Sequence, residues 1–431
     1  MTATVASPRA AIVVSGTRLL VLPRLALCVL AASIGFGDIA QTNPFTTAVL
    51  IGVHALLPLT VALTIASAAL TRQWPRYPAA LAIPTGIWLT VLVASAVLAP
   101  SHRWDALATL DRPFSSVLLA CAVIFVCHDG SVWVRVLQAL ALGGLGIAII
   151  GLAEASGAQP VLDALGALHD GAIPIGDIPR VAATLSHPNE TAMLLELCLP
   201  LLIAWAWTAR DRLRLPLMLA CIATLACIVL TFSRAGTATA LLCLALLALV
   251  ALRYRRPRHA IAIGLLALVV PVALAWTAVV DDGLDRRLLA GLDESSAVQP
   301  SRTEFWSVAV EMAGSNPLLG VGPDNFRWLF ASYSGVDADN LGIHAHNQYL
   351  EAFADTGLLG ALSLVWLLAA LAFHCVRALS RGGPDWPWRA ALLAATSAWL
   401  MHALLDDFER FWPTSVAFWL IAGLSARSAS D

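Results

Sequence analysis

Long apolar runs recur along almost the whole chain, and their length constrains the fold more than any other feature. A helix needs roughly 20 apolar residues to cross the hydrocarbon core of a bilayer, which is about 30 Å thick. About twelve runs approach that length, the fourth and the last being short: 19–36, 45–70, 79–99, 113–127, 132–156, 191–209, 214–231, 235–253, 259–280, 350–376, 388–405 and 412–425. Only 13% of the residues are charged, well below the fraction usual in soluble domains. The sequence therefore predicts an all-α polytopic membrane protein.

The basic residues indicate how the chain is oriented. All 26 of them are arginine, and arginine collects in short cytoplasmic loops. The densest clusters lie at 210–214 and 253–258, so these loops and both chain termini are predicted to be cytoplasmic. The two long loops, near 157–190 and 281–349, are then expected on the outer side of the membrane.

The eight cysteines all lie inside apolar runs or at their ends, and none lies in the long outer loops. A disulfide framework would form in such outer loops, in an oxidising compartment. The cysteines are therefore predicted to be small core residues rather than disulfide partners.

The end of the first long loop is a candidate anion site. Asn189 is placed to cap the helix that follows, and Pro188 prevents that helix from extending backwards. A helix start offers free N–H groups and the positive end of a dipole, and the nearby Arg180 can add positive charge. The simpler interpretation is that Arg180 pairs with a lipid headgroup or with Asp177.

Two further ionisable residues stand out in or beside apolar runs. Arg234 lies in a very short outer loop, where arginine is otherwise avoided, so a functional role is favoured over simple snorkelling. Glu196 lies within the apolar run that follows the first long loop, and an ionisable group inside a membrane segment is costly and often functional. The simpler interpretation of Glu196, that it pairs with an arginine, is preferred.

The second long loop contains a predicted surface helix. Ser301 and Glu304 have the spacing of a capping box, and an apolar stretch follows them up to Asn316-Pro317. Such a helix presents Arg302 from its first turn. The acid pairs Asp281-Asp282 and Asp406-Asp407 have no histidine or third carboxylate beside them at metal-site spacing, so both are predicted to be solvated charges.

His344 and His346 stand where the second loop meets a membrane run. Two histidines at this spacing can face one metal only from an extended strand, so a zinc site is not favoured. An imidazole with a pKa near 6.5 suits proton transfer. The alternative is that one histidine merely caps the next helix.

Several of these motifs together resemble one known family. His346-Asn347, nine residues and Gly357-Leu358-Leu359-Gly360 are similar to a signature of the superfamily of O-antigen ligases, Wzy-type polymerases and bacterial O-linked oligosaccharyltransferases. The resemblance covers about residues 175–425. It includes Phe232-Ser233-Arg234-Ala235-Gly236, Arg302 with Trp306, Pro317 to Gly322 and, more loosely, Arg180 through Asn189.

The resemblance implies a GT-C-type glycosyltransferase that inverts the anomeric carbon on the periplasmic face of a bacterial inner membrane. The donor would be undecaprenyl-diphosphate-linked glycan, and the acceptor a hydroxyl of the lipid A-core. By analogy His346 is the base, and Arg234 and Arg302, with Arg180 behind them, bind the diphosphate. His187, Asn189 and Asn347 are expected to bind substrate, and neither a metal nor another cofactor is expected.

Within the superfamily, ligase is preferred to polymerase and to protein O-oligosaccharyltransferase, because the outer loops are of moderate length and carry no additional domain. Outside it, a transporter of a lipid-linked glycan is the main alternative. Transporters usually show inverted repeats around a site at the bilayer midplane. No repeat is visible here, and the notable residues cluster at the outer face.

Overall fold

The computed structural model describes residues 20–38, 44–166, 174–175, 178–273, 301–336 and 344–428. Within these ranges the chain is almost entirely helical. In chain order the helices are α1 (Val21–Ser33), α2 (Pro44–Thr71), α3 (Ala79–Leu98), α4 (Arg103–Ala108), α5 (Asp111–Val126), α6 (Gly130–Ala155), α7 (Gln159–Gly166), α8 (Pro188–Thr208), α9 (Asp211–Leu230), α10 (Arg234–Arg253), α11 (Pro257–Ala267), α12 (Arg302–Ser315), α13 (Phe326–Ser334), α14 (Gln348–Ser380), α15 (Trp386–His402) and α16 (Trp412–Ser428).

Each of the twelve predicted membrane segments coincides with a helix, the ninth only as far as the described residues extend. In the described part of the chain, eight helices are long and apolar enough to cross a membrane. The predicted all-α membrane fold is confirmed. Among the described residues, the one departure from it is a pair of two-residue strands in the first long loop, β1 (Pro174–Ile175) and β2 (Ile178–Pro179), paired antiparallel.

Helix α8 forms the centre of the bundle. In α8, 78% of the most apolar 18-residue stretch is buried inside the protein. The corresponding share in α2 is 22%, so α2 faces outwards. Helices α6, α9, α10 and α15 surround α8. A helix that is apolar all round and enclosed by others belongs to the core. The first turn of α8 therefore opens into the middle of one end of the bundle.

The loops at that end converge. The amide of Val181 donates to the carbonyl of Leu230, which joins the first long loop to the end of α9 (3.3 Å). The amide of Gln348 donates to the carbonyl of Ala403, which joins the start of α14 to the end of α15 (2.9 Å). Segments that are far apart in sequence thus meet above α8.

The predicted surface helix in the second loop is confirmed as α12. The Ser301 side chain accepts from the Glu304 amide, as the capping-box spacing predicted, and the helix ends at Asn316. Asp281, Asp282 and the neighbouring charges of this loop lie outside the described residues.

The segment after α12 is joined to α14 through backbone hydrogen bonds. The amides of Val321 and Gly322 donate to the carbonyls of Ala354 and Asp355 (3.0 and 2.8 Å), and the Leu358 amide donates to the Pro317 carbonyl (2.9 Å). Helix α14 is kinked here, since Gly357 has φ 64° and ψ −166°. This joint fixes α12 relative to the start of α14.

Candidate active site around Asp406

One buried carboxylate gathers the polar groups at the converging end. Asp406 Oδ1 lies 2.9 Å from His344 Nε2, 3.2 Å from His346 Nδ1 and 3.0 Å from the amide nitrogen of Asp407. Its Oδ2 lies 2.8 Å from Asn189 Nδ2. Amide nitrogens can only donate, so the arrangement suits an ionised carboxylate that accepts from all four groups.

This arrangement corrects the prediction that Asp406 and Asp407 are solvated charges. Their exposed fractions are 3% and 7%. Burial by itself raises the pKa of Asp406, but the hydrogen bonds from His344 and His346 outweigh it and hold that pKa well below its usual range. Asp406 is consequently an anion in the middle of the site, and Asp407 is buried beside it.

The backbone before α14 aims the two histidines at Asp406. His346 has φ 48°, a left-handed conformation that is rare for a residue with a side chain. The rings of His344 and His346 lie 3.9 Å apart between centroids, and Phe305 of α12 meets His346 edge-on at 5.5 Å. A strained backbone held by surrounding packing is typical of functional sites.

Asn189 does not cap α8, contrary to the prediction from sequence. His187 is the capping residue, with its Nδ1 accepting from the amide of Asn189 (3.1 Å). The Asn189 side chain is instead a bridge: its Nδ2 donates to Asp406 and its Oδ1 accepts from Arg180 Nη2 (2.8 Å). A second donor of the same guanidinium, Arg180 Nε, donates to the Thr231 carbonyl (2.8 Å).

Arg180 thereby connects the carboxylate to the loop between α9 and α10. Burial lowers the pKa of Arg180 to about 10; Asp406 opposes this effect, and Arg302 and Arg234 add to it. Arg234 and Arg302 are thus close enough to interact with Arg180 electrostatically, although they come from two other elements. Both have exposed side chains.

Each of these two arginines occupies the first position of its helix. A side-chain oxygen caps each helix, Ser233 for α10 and Ser301 for α12, and accepts from an amide of the first turn. The exposed Arg234 and Arg302 therefore stand beside helix N-termini, where the dipole also favours an anion. The end of the bundle combines a carboxylate-bound histidine pair with three arginines.

Burial also lowers the pKa of His346 and of His187. The pKa of His346 falls below 6.5 despite its hydrogen bond to Asp406, and that of His187 falls to about 4. Both rings are then neutral at pH 7. A neutral imidazole can accept a proton, which a protonated one cannot.

The remaining predicted residues have structural partners. Asn347 is the cap of α14, and its side-chain oxygen accepts from the amides of Tyr349 and Leu350 (both 3.0 Å). Glu196 pairs with His402 inside the bundle (3.0 Å), not with an arginine. The cysteines are free, and six of the eight are buried.

Sequence reasoning missed Arg410, which lies beside the site. Its guanidinium is 3.5 Å from Glu351 and 3.9 Å from Asp324. Burial lowers the pKa of Arg410, but the surrounding acids outweigh burial and raise it. The signal was the density of ionisable residues in the short loop after α15, where Asp406, Asp407, Glu409 and Arg410 fall between two apolar runs.

The histidines and Asp406 form a group that is also able to hold a metal. One ligand atom each from His344, His346 and Asp406 lies within 4.8 Å of the others. Imidazole and carboxylate suit several first-row transition metals. The geometry therefore makes His344, His346 and Asp406 a candidate metal site as well as a candidate proton-transfer group.

Part of this chain is similar to a known protein family. A comparison with curated proteins gave no match. A family model described as O-antigen ligase matches residues 192–365, which include Arg234, Arg302 and His346 but not Arg180 or Asp406. Over residues 192–365, this multi-pass membrane chain therefore resembles the O-antigen ligase family.

Proposed function

We propose that the protein transfers a glycan from undecaprenyl diphosphate to a sugar hydroxyl of the lipid A-core, on the periplasmic face of the inner membrane. The observation that carries this proposal is the pairing of His346 with the buried Asp406 beside Arg180. A base and a set of cations at one end of a membrane bundle fit a reaction between a hydroxyl and a lipid diphosphate.

His346 serves as the general base in this proposal. Its Nδ1–H donates to Asp406, so its Nε2 carries the lone pair and can accept the proton of the acceptor hydroxyl. Asp406 fixes that tautomer and stabilises the imidazolium formed during the reaction, in the way a buried carboxylate supports histidine bases elsewhere. The lowered pKa of His346 keeps the base unprotonated at neutral pH.

The bonds formed and broken in the proposed transfer reaction balance without a cofactor. The acceptor oxygen forms a bond to the anomeric carbon while its proton passes to His346. The bond between that carbon and the phosphate oxygen breaks, and undecaprenyl diphosphate leaves with the electron pair. Attack opposite the leaving group inverts the anomeric carbon.

The three arginines bind and stabilise the leaving group. Charge grows on the diphosphate as the bond breaks, and donors fixed beforehand in a partly dry site stabilise that charge strongly. Guanidinium groups match phosphate oxygens with paired hydrogen bonds, which lysine cannot provide. His187 caps α8 and Asn189 bonds Arg180, so the start of α8 lies beside the arginines. Asn347 caps α14 and so fixes the segment that carries His346.

Reconstituted transfer tests the proposal. Purified protein in liposomes receives undecaprenyl-diphosphate-linked glycan with lipid A-core or without an added acceptor. We expect product on lipid A-core, and loss of that product in His346→Ala. His374→Ala is the matched control, because His374 lies towards the far end of α14, where its Nε2 is 3.2 Å from the Ala426 carbonyl oxygen.

The other activities of the superfamily give different products in the same assay. Longer lipid-linked chains without an added acceptor would make the protein a polymerase, and glycan on protein would make it an O-oligosaccharyltransferase. Movement of the intact lipid-linked glycan across the membrane would make it a transporter. An inactive His344→Ala together with an active His346→Ala would assign the base to His344.

Chelation is an arm of the same assay. We propose that the arginines take the place of a metal, so activity is expected to persist after treatment with EDTA. Loss of activity that returns with added Zn²⁺ or Mn²⁺ would assign His344, His346 and Asp406 to a metal instead of to proton transfer.

A further inference from the structure

A second candidate site lies at the opposite end of the bundle from Asp406. A cavity of about 680 Å³ opens between the end of α8, the start of α9 and the turn joining α10 to α11. The cavity is lined by Ile203 and Trp207 of α8, so it lies roughly 25 Å along this helix from the start at Pro188, a large part of the thickness of a bilayer core. The proposed transfer reaction makes no use of this cavity.

The inner wall of the cavity is aliphatic. Ile203 of α8, Met218 and Ile222 of α9 and Ile263 and Leu266 of α11 line it. A volume of this size is in the range of cavities that enclose small-molecule ligands. Because these five residues offer almost no hydrogen-bonding groups, the part of the cavity that they line suits a hydrocarbon.

The rim of the cavity is strongly basic. Arg214, Arg255, Arg256 and Arg258 all line it, and none of its lining residues is acidic. Of these, Arg214 pairs with Asp211 at 3.0 Å, and the other three lie close together in sequence, before α11 and in its first turn. Arg255 has φ 55°, so a left-handed turn brings these three side chains together.

Topology alone explains why arginines lie on this side, but it does not explain the cavity below them. Arg377 and Arg381 are arginines on the same side of the bundle that can be compared with those of the cavity. They lie at the end of α14 on the same side of the bundle, since the Tyr254 hydroxyl after α10 donates to the nearby Leu379 carbonyl (2.6 Å). Neither of them lines the cavity.

We infer that this cavity binds one anionic phospholipid from the leaflet opposite the candidate active site. Its phosphate would lie among Arg255, Arg256 and Arg258, and an acyl chain would lie against Met218 and Ile263. A basic rim over a hydrocarbon wall complements a molecule with a negative head and an apolar tail. Basic pockets between membrane helices recognise lipid headgroups in this way.

Native mass spectrometry of the delipidated full-length protein tests the inference. The protein is titrated with phosphatidylglycerol, with phosphatidylcholine of the same acyl chains, and with glycerol 3-phosphate. We expect one tightly held phosphatidylglycerol per chain, weaker binding of phosphatidylcholine and no retained glycerol 3-phosphate.

Paired variants separate the cavity from general surface charge. The double variant Arg255→Gln/Arg256→Gln should weaken phosphatidylglycerol binding about thirtyfold, given roughly tenfold per 1.4 kcal/mol and about 1 kcal/mol for each arginine. The matched double variant Arg377→Gln/Arg381→Gln removes the same charge outside the cavity and should change binding by less than about threefold. Ala262→Trp places an indole in the cavity while every arginine remains, and should also weaken retention.

Three results would overturn the inference. Equal weakening by the two double variants would reduce the effect to surface charge. Equal retention of the two lipids would remove the role of the arginines, and binding of glycerol 3-phosphate as tight as that of the lipid would make the rim a site for free phosphates. The transfer assay is separate from this titration, so the two proposals can fail independently.

Discussion

Asp406 links the predicted base His346 to the predicted cation Arg180 through hydrogen bonds. One of its oxygens contacts both histidines, and the other contacts Asn189, which in turn holds Arg180. A buried charge is tolerated only when it is fully hydrogen-bonded. The conformation of His346 and the position of Arg180 therefore depend on the same carboxylate.

Replacing Asp406 with asparagine should lower kcat by two to four orders of magnitude, on the order of the losses seen when a histidine base loses its carboxylate. The amide must turn its NH₂ group towards either the histidines or Asn189, and both offer N–H donors. Initial rates of glycan transfer measure the loss. Asp407→Asn is the matched control, since the Asp407 side chain accepts from the Glu409 amide and its loss leaves the histidine contacts in place. Equal losses in the two variants would contradict a specific role for Asp406.

The pH dependence of transfer follows from the lowered pKa of His346. The active form of a base is unprotonated, so activity should fall as the pH drops through a pKa below 6.5 and should be flat above pH 7. A profile of kcat/KM between about pH 4.5 and 8 measures this, as that parameter reports the free enzyme. An acidic limb with a midpoint above 7 would rule out a neutral, buried His346 as the base.

Among the elements, α12 and α14 form one unit through the backbone joint at Gly320 and Gly357. A Cβ added at Gly357 would collide with the backbone of Leu318, and one added at Gly320 would collide with the backbone of Asp355. Both glycines have positive φ angles. The glycines of the family signature thus set the distance between Arg302, at the start of α12, and His346, just before α14.

Gly357→Ala should destabilise the protein by at least about 1–3 kcal/mol from backbone strain alone, with the steric collision adding to it. Thermal unfolding in detergent measures the loss. Gly314→Ala is the matched control, because Gly314 lies in α12 with open space where the methyl group would go, and it should be neutral or slightly stabilising. A fully stable Gly357→Ala would mean that the joint is not required.

The first turn of α12 should contribute to catalysis through Arg302. Arg302→Ala is expected to lower kcat about 10²–10³-fold, the usual effect of losing one fixed donor to a developing charge. Arg302→Lys should recover only part of it, because an ammonium cannot form paired bonds to phosphate. Arg377→Ala, at the far end of the bundle, should leave the rate unchanged. A change in KM alone would show that Arg302 binds substrate without stabilising the transition state.

At the scale of the whole molecule, the two ends of the bundle differ in kind. One end holds the histidines, Asp406 and the buried acids around Arg410. The other end holds the arginines of the short loops and the cavity that Arg255 and Arg256 line. Short loops rich in arginine are typical of the cytoplasmic side. We therefore expect the first end to face the periplasm.

Thiol labelling of intact cells tests this orientation. A membrane-impermeant maleimide should label Thr303→Cys without permeabilisation and should label Ser380→Cys only after it, because these exposed positions lie at opposite ends of the bundle. Background should be low, since the native cysteines are buried or half-buried. The reverse labelling pattern would invert the predicted topology and would move the candidate site to the cytoplasmic face.

The sequence by itself determined the features that depend on neighbouring residues: the twelve apolar segments, the capped start of α12 at Ser301 and the family signature around His346. Hydropathy and capping act over a few residues, so they can be recognised in a linear chain. The tertiary structure decided the role of Asp406, which lies 60 residues from His346 and 217 from Asn189. A carboxylate in a loop looks solvated until the packing of α8, α14 and α15 buries it, and burial is a property of the assembled bundle rather than of any segment.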